Sequence, residues 1–195
     1  VHEASEEPAP IATVDPDDTK VVLYTSGTTG NPKAVRHSHN TLAKGLDNAV
    51  MAWGLDERDM MLMPSPVTHV TGYVSGIELP FFTDTNVLLM ESWIVDRAVE
   101  LIETHQATTC VSATPFLREL VDAARHQGKD LPSFRLFACG GAAVPSALIY
   151  EAGEVLASCR AVRVYGSTEV PLVTVGFVGD GETQLAAETD GRVCN

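Results

Sequence analysis

A run of hydroxyl, glycine and lysine residues at positions 24–33 is the segment of this sequence best suited to bind an anion. It reads Tyr-Thr-Ser-Gly-Thr-Thr-Gly-Asn-Pro-Lys. Glycines let backbone N–H groups turn toward an anion, the hydroxyls add donors, and Lys33 supplies a mobile positive charge. A P-loop is excluded, because only two residues separate Gly27 from Gly30 and Lys33 is followed by Ala34. We therefore expect a phosphate-binding loop of another kind.

Three further segments combine glycine with groups that can contact a ligand. Residues 165–169 read Tyr-Gly-Ser-Thr-Glu, and the carboxylate of Glu169 is the hard oxygen ligand that Mg²⁺ prefers. Residues 139–143 read Cys-Gly-Gly-Ala-Ala, which is equally typical of a tight turn between a strand and a helix. Residues 66–72 read Pro-Val-Thr-His-Val-Thr-Gly and contain a lone histidine, His69. Taken singly, the last two segments leave a purely structural role open.

Short apolar runs alternate with amphipathic patterns along most of the chain, and this alternation predicts the elements that position these segments. The predicted strands are 20–25, 59–63, 86–90, 108–112, 134–139 and 161–165. The predicted helices are 38–53, 70–80, 94–105, 115–127 and 145–157. Ser38 is a favourable N-cap, and Pro115 and Pro145 stand near helix starts.

The order of these elements predicts an α/β fold with a mostly parallel sheet and helices on both faces. Such sheets bind ligands at the carboxyl ends of their strands. Three glycine- or hydroxyl-rich segments follow the predicted strands 20–25, 134–139 and 161–165. We therefore expect these segments to converge at one edge of the sheet.

The ten residues from Tyr24 to Lys33 resemble throughout the signature loop of the adenylate-forming enzymes, which include acyl-CoA synthetases, luciferases and the adenylation domains of peptide synthetases. The pattern of that family is Tyr/Phe-Thr-Ser-Gly-Ser/Thr-Thr-Gly-x-Pro-Lys-Gly, from which only Ala34 departs. Residues 165–169 are similar to its Tyr-Gly-x-Thr-Glu segment, and residues 66–72 to its Pro-x-x-His-x-x-Gly segment. The resemblance runs from about residue 15 to the end of the chain.

The resemblance implies roles for the matching residues. It implies that ATP contacts Thr25, Ser26, Gly27, Thr28, Thr29, Gly30, Lys33, Gly140, Gly141, Ala142, Tyr165, Gly166, Ser167 and Thr168. Tyr165 would lie against the adenine, and Lys33 and Thr168 would act on the phosphates. Glu169 would bind Mg²⁺, and His69 would belong to the carboxylate or acyl pocket. The implied catalytic residues are Lys33, His69, Thr168 and Glu169, with Tyr73, Val74 and Gly76 as pocket wall.

The activity that the resemblance implies is ATP-dependent conversion of a carboxylic acid to an acyl-adenylate, followed by transfer of the acyl group to coenzyme A. ATP and Mg²⁺ are the implied cofactors, and coenzyme A is the co-substrate. An adenylation domain that loads a carrier-protein thiol, or a non-catalytic nucleotide-binding module, remains an alternative. The side chains of Val70, Tyr73, Val170 and Leu172 favour an apolar acyl group.

The excess of acidic residues limits the kinds of partner that this chain can bind. The 195 residues carry 13 Lys and Arg against 26 Asp and Glu, a formal charge of −13, which argues against a nucleic-acid or anionic-membrane partner. No apolar run approaches the length of roughly 18 residues that a membrane span needs. The four cysteines form no Cys-x-x-Cys pair and are typical of reduced thiols in a cytoplasmic protein. His37 and His39 suggest a metal pair only weakly, and a solvated helix start is favoured.

The domain prediction is an acidic, partly disordered lead-in over 1–19 and a fragment of an AMP-binding domain over 20–195. The sequence shows neither the ribose-binding Tyr-x-Thr-Gly-Asp segment nor the C-terminal lysine of the adenylate-forming enzymes. We therefore expect an internal piece of their large N-terminal domain, without the C-terminal domain. Such a fragment is expected to be inactive alone and able to form homo-oligomers through apolar surface.

Overall fold

An antiparallel hairpin is the first secondary structure in the described residues. The computed structural model describes residues 10–27 and 30–194. Residues 10–18 are exposed and contain no helix or strand. Strands β1 (Thr19–Thr25) and β2 (Lys33–Ser38) then pair antiparallel, with Thr25 opposite Lys33. The described residues between these two, Ser26, Gly27 and 30–32, therefore lie at the tip of the hairpin.

The prediction that the first strand is buried in the parallel sheet is wrong. β1 and β2 form a sheet of their own, in which the side chains of Val22 and Tyr24 are 42% and 70% exposed and Leu23 is buried. Successive strand residues face opposite sides, so a hairpin with one covered face exposes half of an apolar run. β2 was not predicted, because its Lys-Ala-Val-Arg-His-Ser sequence has no apolar run.

The remaining major strands form the predicted parallel sheet. They are β3 (Met60–Met63), β4 (Asn86–Leu89), β5 (Thr109–Ala113), β6 (Leu136–Gly140) and β7 (Arg160–Arg163). Their order is β4-β3-β5-β6-β7, and every neighbouring pair is parallel. Consecutive residues of β3 and β6 are buried, so both faces of the sheet are covered.

Seven α-helices accompany these strands in the described ranges. They are α1 (His39–Trp53), α2 (Val70–Tyr73), α3 (Leu79–Thr83), α4 (Val95–His105), α5 (Thr114–Gln127), α6 (Ser146–Val155) and α7 (Thr183–Glu188). A π-helical segment, Val74–Glu78, joins α2 to α3. Strands β8 (Thr174–Val175) and β9 (Arg192–Val193) form a small antiparallel pair. The sequence did not predict α7, β8 or β9.

Helix α1 begins and ends where its sequence provides caps. Ser38 accepts a hydrogen bond from the backbone N–H of Thr41, whose hydroxyl accepts one from the Ser38 N–H, and Gly54 ends the helix in the left-handed conformation. The predicted N-cap is therefore confirmed. None of the helices in the ranges given above is long and apolar enough to cross a membrane.

An ion pair between the buried Asp59 and the partly exposed Arg135 joins the amino ends of the strands. Asp59, just before β3, accepts hydrogen bonds from Arg135 Nε at 2.9 Å and Arg135 Nη2 at 2.6 Å, and from Thr108 Oγ1 at 2.6 Å. Burial would raise the pKa of Asp59, but the hydrogen bonds from Arg135 and Thr108 outweigh it and hold the pKa below the ordinary value of 3.8. Asp59 is therefore a charged carboxylate at neutral pH.

Candidate active site

The order in which the chain adds strands to the sheet reverses between β3 and β5. From β3 the chain passes to β4 on one side and then returns to β5 on the other. Such a topological switch point opens a crevice at the carboxyl ends of the two strands. Ser65, which follows β3, and Ser112, within β5, are buried there, and their hydroxyl oxygens lie 2.9 Å apart. Strand order alone therefore indicates a ligand site at this edge.

A cavity of about 600 Å³ occupies this crevice. The predicted site residues in its wall are His69, Gly140, Gly141, Gly166, Ser167 and Thr168. The apolar residues in its wall include Leu42, Leu46, Ala49, Trp53, Leu55, Met61, Leu79, Val111 and Phe116. The structure thus brings three of the four chemistry-bearing segments together around one cavity and adds a long apolar wall that the sequence did not predict.

The glycines at the cavity edge are required by close backbone contacts. A Cβ atom on Gly140 would lie 2.6 Å from the carbonyl oxygen of Val164, and one on Gly166 would lie 2.2 Å from that of Pro171. These short distances leave no room for a side chain at either position. Packing alone therefore requires glycine at both, with or without a contact to a nucleotide. Ala142, from the same predicted segment as Gly140, is exposed and does not line the cavity.

The hairpin tip carries the first predicted segment. Gly27 has φ of 65°, and a Cβ there would lie 2.3 Å from the carbonyl oxygen of Asn31, so only glycine fits this turn. Lys33 and Gly30 are exposed, whereas Thr25 is partly buried and Ser26 is exposed. Thr28 and Thr29, both predicted ATP contacts, lie outside the described residues.

A buried histidine connects the hairpin to the segment that holds Glu169. His37, on β2, is 2% exposed, and its Nε2 donates a hydrogen bond to the Thr168 carbonyl oxygen at 2.7 Å. The interpretation of this histidine as part of a solvated helix start is therefore wrong. Its spacing from Val35, two residues away on the strand, was the signal for an inward-facing side chain.

The charges around Glu169 favour its ionised form. Hydrogen bonds from its own backbone N–H and from the Ser167 hydroxyl lower the pKa of this carboxyl, and the electrostatic influence of Lys33 and His37 lowers it further. Lys33 and Glu169 therefore lie within electrostatic reach of each other. Tyr165, four residues earlier, is 58% exposed and pairs with Thr174 through its backbone.

His69 has a defined orientation at the entrance to the helical segment. Its Nδ1 accepts a hydrogen bond from the backbone N–H of Thr71 at 3.2 Å, which leaves Nε2 to carry the proton of the neutral ring. The ring is exposed and lines the cavity. An N–H donor at the cavity wall can bind a carboxylate oxygen.

The wall next to His69 differs in part from the prediction. Val70, Val74 and Leu172 line the cavity, and so does Ser75, which the sequence did not suggest. The predicted wall residues Tyr73, Gly76 and Val170 do not line it. Burial raises the pKa of Tyr73 to about 12, and a hydrogen bond with the Glu78 carboxylate contributes to the increase. Tyr73 therefore stays protonated at neutral pH and does not line the cavity.

Within the ranges that the structure describes, no three His, Cys, Asp or Glu side chains cluster as a metal site. Glu169 is instead an isolated, exposed carboxylate beside hydroxyl groups. This donor set fits Mg²⁺, which keeps several waters and is usually held by one or two carboxylates together with substrate phosphates. The pair His37 and His39 has no further ligand, and the ring of His37 is engaged by Thr168.

Comparison with known proteins assigns the family. A family model described as AMP-binding enzyme matches residues 1–193. The chain belongs to this family. A medium-chain fatty-acid–CoA ligase of Escherichia coli is 33% identical over 153 residues, which is 78% of this chain. An indoleacetate–CoA ligase of Aromatoleum aromaticum is 30% identical over 179 residues, or 92% of this chain.

A solved structure of the AMP-binding family has the same fold. The inhibitor-bound N-terminal domain of FACL13 from Mycobacterium tuberculosis superimposes with a TM-score of 0.83 at 25% identity, over 94% of this chain and 45% of its own. This chain spans a minor part of its relatives, because the matches cover 27% of the E. coli ligase and 34% of the indoleacetate ligase. The membership and the α/β fold predicted from the sequence are therefore confirmed.

Proposed function

We propose that this chain is part of an AMP-forming acid–CoA ligase that activates an apolar carboxylic acid. The proposal rests on one observation. A single cavity is lined by Thr168 and the glycines Gly140, Gly141 and Gly166 and also by a wall of apolar side chains. A nucleotide phosphate and an apolar acyl tail need those two surroundings next to each other. The relatives named for fatty acids and for indoleacetate are ligases of apolar acids, which supports the same substrate class here.

In the proposed first step, a carboxylate oxygen of the acid attacks the α-phosphorus of ATP. The new P–O bond forms as the bond to pyrophosphate breaks, and pyrophosphate leaves with the bonding electrons. The acid is already ionised, so no general base is needed, and catalysis depends on position and charge. His69 Nε2–H would orient the carboxylate, Thr168 would contact the α-phosphate, and Lys33 would neutralise charge on the phosphates.

We assign Mg²⁺ to Glu169. One divalent ion, when bound, would offset part of the phosphate charge that Lys33 alone cannot balance in a chain of net charge −13. The lowered pKa of Glu169 keeps its carboxylate ionised and ready to bind a cation.

In the proposed second step, the sulfur of coenzyme A attacks the acyl carbonyl carbon of the acyl-adenylate. The bond to the AMP oxygen breaks, AMP leaves, and the thiol proton passes to solvent.

The proposal also includes the predicted contacts of ATP with Thr25, Ser26, Gly27, Gly30, Gly140, Gly141, Tyr165, Gly166 and Ser167. Ala142, which does not line the cavity, is its weakest member.

Two features of the cellular setting also stand as proposals. A cytoplasmic location is supported by the four cysteines, Cys110, Cys139, Cys159 and Cys194, which are free thiols. Homo-oligomer formation is supported by the exposed rings of Phe81 and Phe82 on α3, which are 89% and 44% accessible.

Product analysis tests the proposed reaction. The protein expressed from its whole reading frame is incubated with ATP, Mg²⁺ and octanoate or indoleacetate, with and without coenzyme A, and products are identified by mass spectrometry. We expect acyl-adenylate without coenzyme A, and acyl-CoA with an equal amount of AMP when coenzyme A is present. Release of ADP in place of AMP contradicts the proposal.

A further inference from the structure

One face of α1 forms a long side of the cavity. Leu42, Gly45, Leu46, Ala49 and Trp53 all line it, at the spacing that places residues on a single helical stripe. At 1.5 Å per residue, the distance along the helix from Leu42 to Trp53 is about 16 Å. The cavity therefore extends along α1 instead of being confined to the sheet edge.

The two ends of this stripe have different surroundings. The amino end of α1 follows His37, which contacts Thr168, so it lies on the nucleotide side. The carboxyl end lies beside Arg135, which precedes β6, whereas Gly140 is the last residue of β6 and Thr168 lies beyond the carboxyl end of β7. Trp53 is thus at the end of the cavity that is farther from the reacting carboxylate.

The backbone at Trp53 is held by Arg135, the ion-pair partner of Asp59. Arg135 Nη1 donates to the Trp53 carbonyl oxygen at 3.0 Å, and Nη2 donates to the Gly54 carbonyl oxygen at 2.9 Å, while Asp59 holds the same guanidinium. The indole is 4% exposed, and its N–H has no hydrogen-bond partner among the described residues. The backbone that carries the indole is therefore anchored, and the buried ring presents an apolar surface at this end of the stripe.

We propose that Trp53 closes the apolar end of the cavity and limits the length of the acyl chain. The inference rests on the proposed function. An extended chain advances roughly 1.2 Å per bond, so about 16 Å accommodates about 13 bonds before the tail meets the indole. The substrate class is therefore an unbranched or slender apolar acid of intermediate length, with Trp53 as the residue that determines specificity.

The test is the chain-length profile of kcat/KM for butanoate, octanoate, dodecanoate and hexadecanoate, measured as acid-dependent pyrophosphate exchange with the whole-reading-frame protein. For the unmodified protein, we expect kcat/KM to fall at least roughly 10-fold between dodecanoate and hexadecanoate. Trp53→Ala should raise the ratio of hexadecanoate to octanoate at least roughly 10-fold. Trp53→Phe is the matched control, because it keeps a ring of similar reach and removes the unpaired N–H.

A second variant shifts the profile in the opposite direction. Ala49 lines the cavity one turn before Trp53 and is 8% exposed, so Ala49→Leu should lower kcat/KM for dodecanoate at least roughly 10-fold and leave butanoate nearly unchanged. This variant carries the test if Trp53→Ala does not fold. If Ala49→Leu and a folded Trp53→Ala both catalyse exchange with the same chain-length profile as the unmodified protein, the inference about Trp53 is overturned and the proposed function stands. The absence of exchange with every acid overturns the proposed function and the inference together.

Discussion

The imidazole Nε2 of His37 lies 2.7 Å from the carbonyl oxygen of Thr168, although 131 positions separate the two residues in sequence. Its other nitrogen, Nδ1, is 3.5 Å from the hydroxyl of Thr41 at the start of α1. His37 is on the strand that begins with Lys33, and Thr168 directly precedes Glu169. This contact therefore joins the hairpin that presents Lys33 to the segment that presents Glu169.

Loss of the contact between His37 and Thr168 should displace the residues around Thr168 and lower the free energy of unfolding. In His37→Leu the Thr168 carbonyl loses its donor, and a displacement of about 1 Å at the phosphates can reduce kcat by ~100-fold. An unpaired, partly buried carbonyl should also lower the free energy of unfolding by about 1–3 kcal/mol. The measurements are pyrophosphate exchange and urea unfolding, with His105→Gln on the exposed end of α4 as the control. Equal kcat in His37→Leu and the unmodified protein contradicts a positioning role.

Lys33 should contribute to binding of the ATP phosphates. Lys33→Ala removes an exposed positive charge at the hairpin, and a hydrogen bond to a charged group contributes about 1.5–3 kcal/mol, so the KM for ATP should rise by roughly 10- to 100-fold. Lys44→Ala is the matched control, because Lys44 is exposed on α1 outside the predicted loop. A KM for ATP that is the same in both variants removes Lys33 from the phosphate site.

Glu169 should set the magnesium requirement. Glu169→Gln keeps the shape of the side chain and removes its charge, so half-maximal activity should need a higher Mg²⁺ concentration. The exposed Glu100 on α4 provides the control substitution, Glu100→Gln. The measurement is a Mg²⁺ titration of exchange activity at constant ATP. An unchanged midpoint in Glu169→Gln indicates that this carboxylate does not hold the metal.

Asp59 should make stability depend on pH. Its pKa is lower in the folded protein than the ordinary 3.8, so the stabilisation is fully present above that value and is lost as pH falls through the folded pKa. Asp59→Asn should cost about 1.5–3 kcal/mol at pH 7, the range for hydrogen bonds to a charged group. The difference between variant and unmodified protein in urea unfolding should shrink as the pH falls below 3.8.

The control for this prediction is Asp180→Asn. The Asp180 side chain is 99% exposed and pairs with Arg160 at the surface, so its loss should cost at most about 1 kcal/mol. An equal effect of the two substitutions at pH 7 is inconsistent with a stabilising role for the pair of Asp59 and Arg135.

Sequence patterns predicted the elements that have strong apolar periodicity. The segments 59–63 and 134–139 contain strands whose residues are buried on both faces, and the stripe of α1 that ends at Trp53 was visible at helical spacing. The hairpin was misjudged because an apolar run does not show whether one or both faces are covered. α7, β8 and β9 are too short for periodicity to predict them.

The sequence predicted those site residues whose role depends on the local backbone. It missed those whose role depends on contacts with residues far away in the chain. Gly27 requires a positive φ whatever surrounds it, so a local pattern could identify it. The burial of His37 depends on Thr168, and the position of Trp53 at the cavity end depends on Arg135, and both partners are distant in sequence. Neither role can be inferred from the residues next to them in the chain.

The central claim is that these residues form part of a site where an apolar acid displaces pyrophosphate from ATP. The most direct measurement is exchange of labelled pyrophosphate into ATP by the whole-reading-frame protein, with no coenzyme A present. We predict exchange that requires both Mg²⁺ and an apolar acid such as octanoate, and that Lys33→Ala strongly reduces. Exchange that is absent with every acid tested, or that proceeds equally without any acid, would contradict the account.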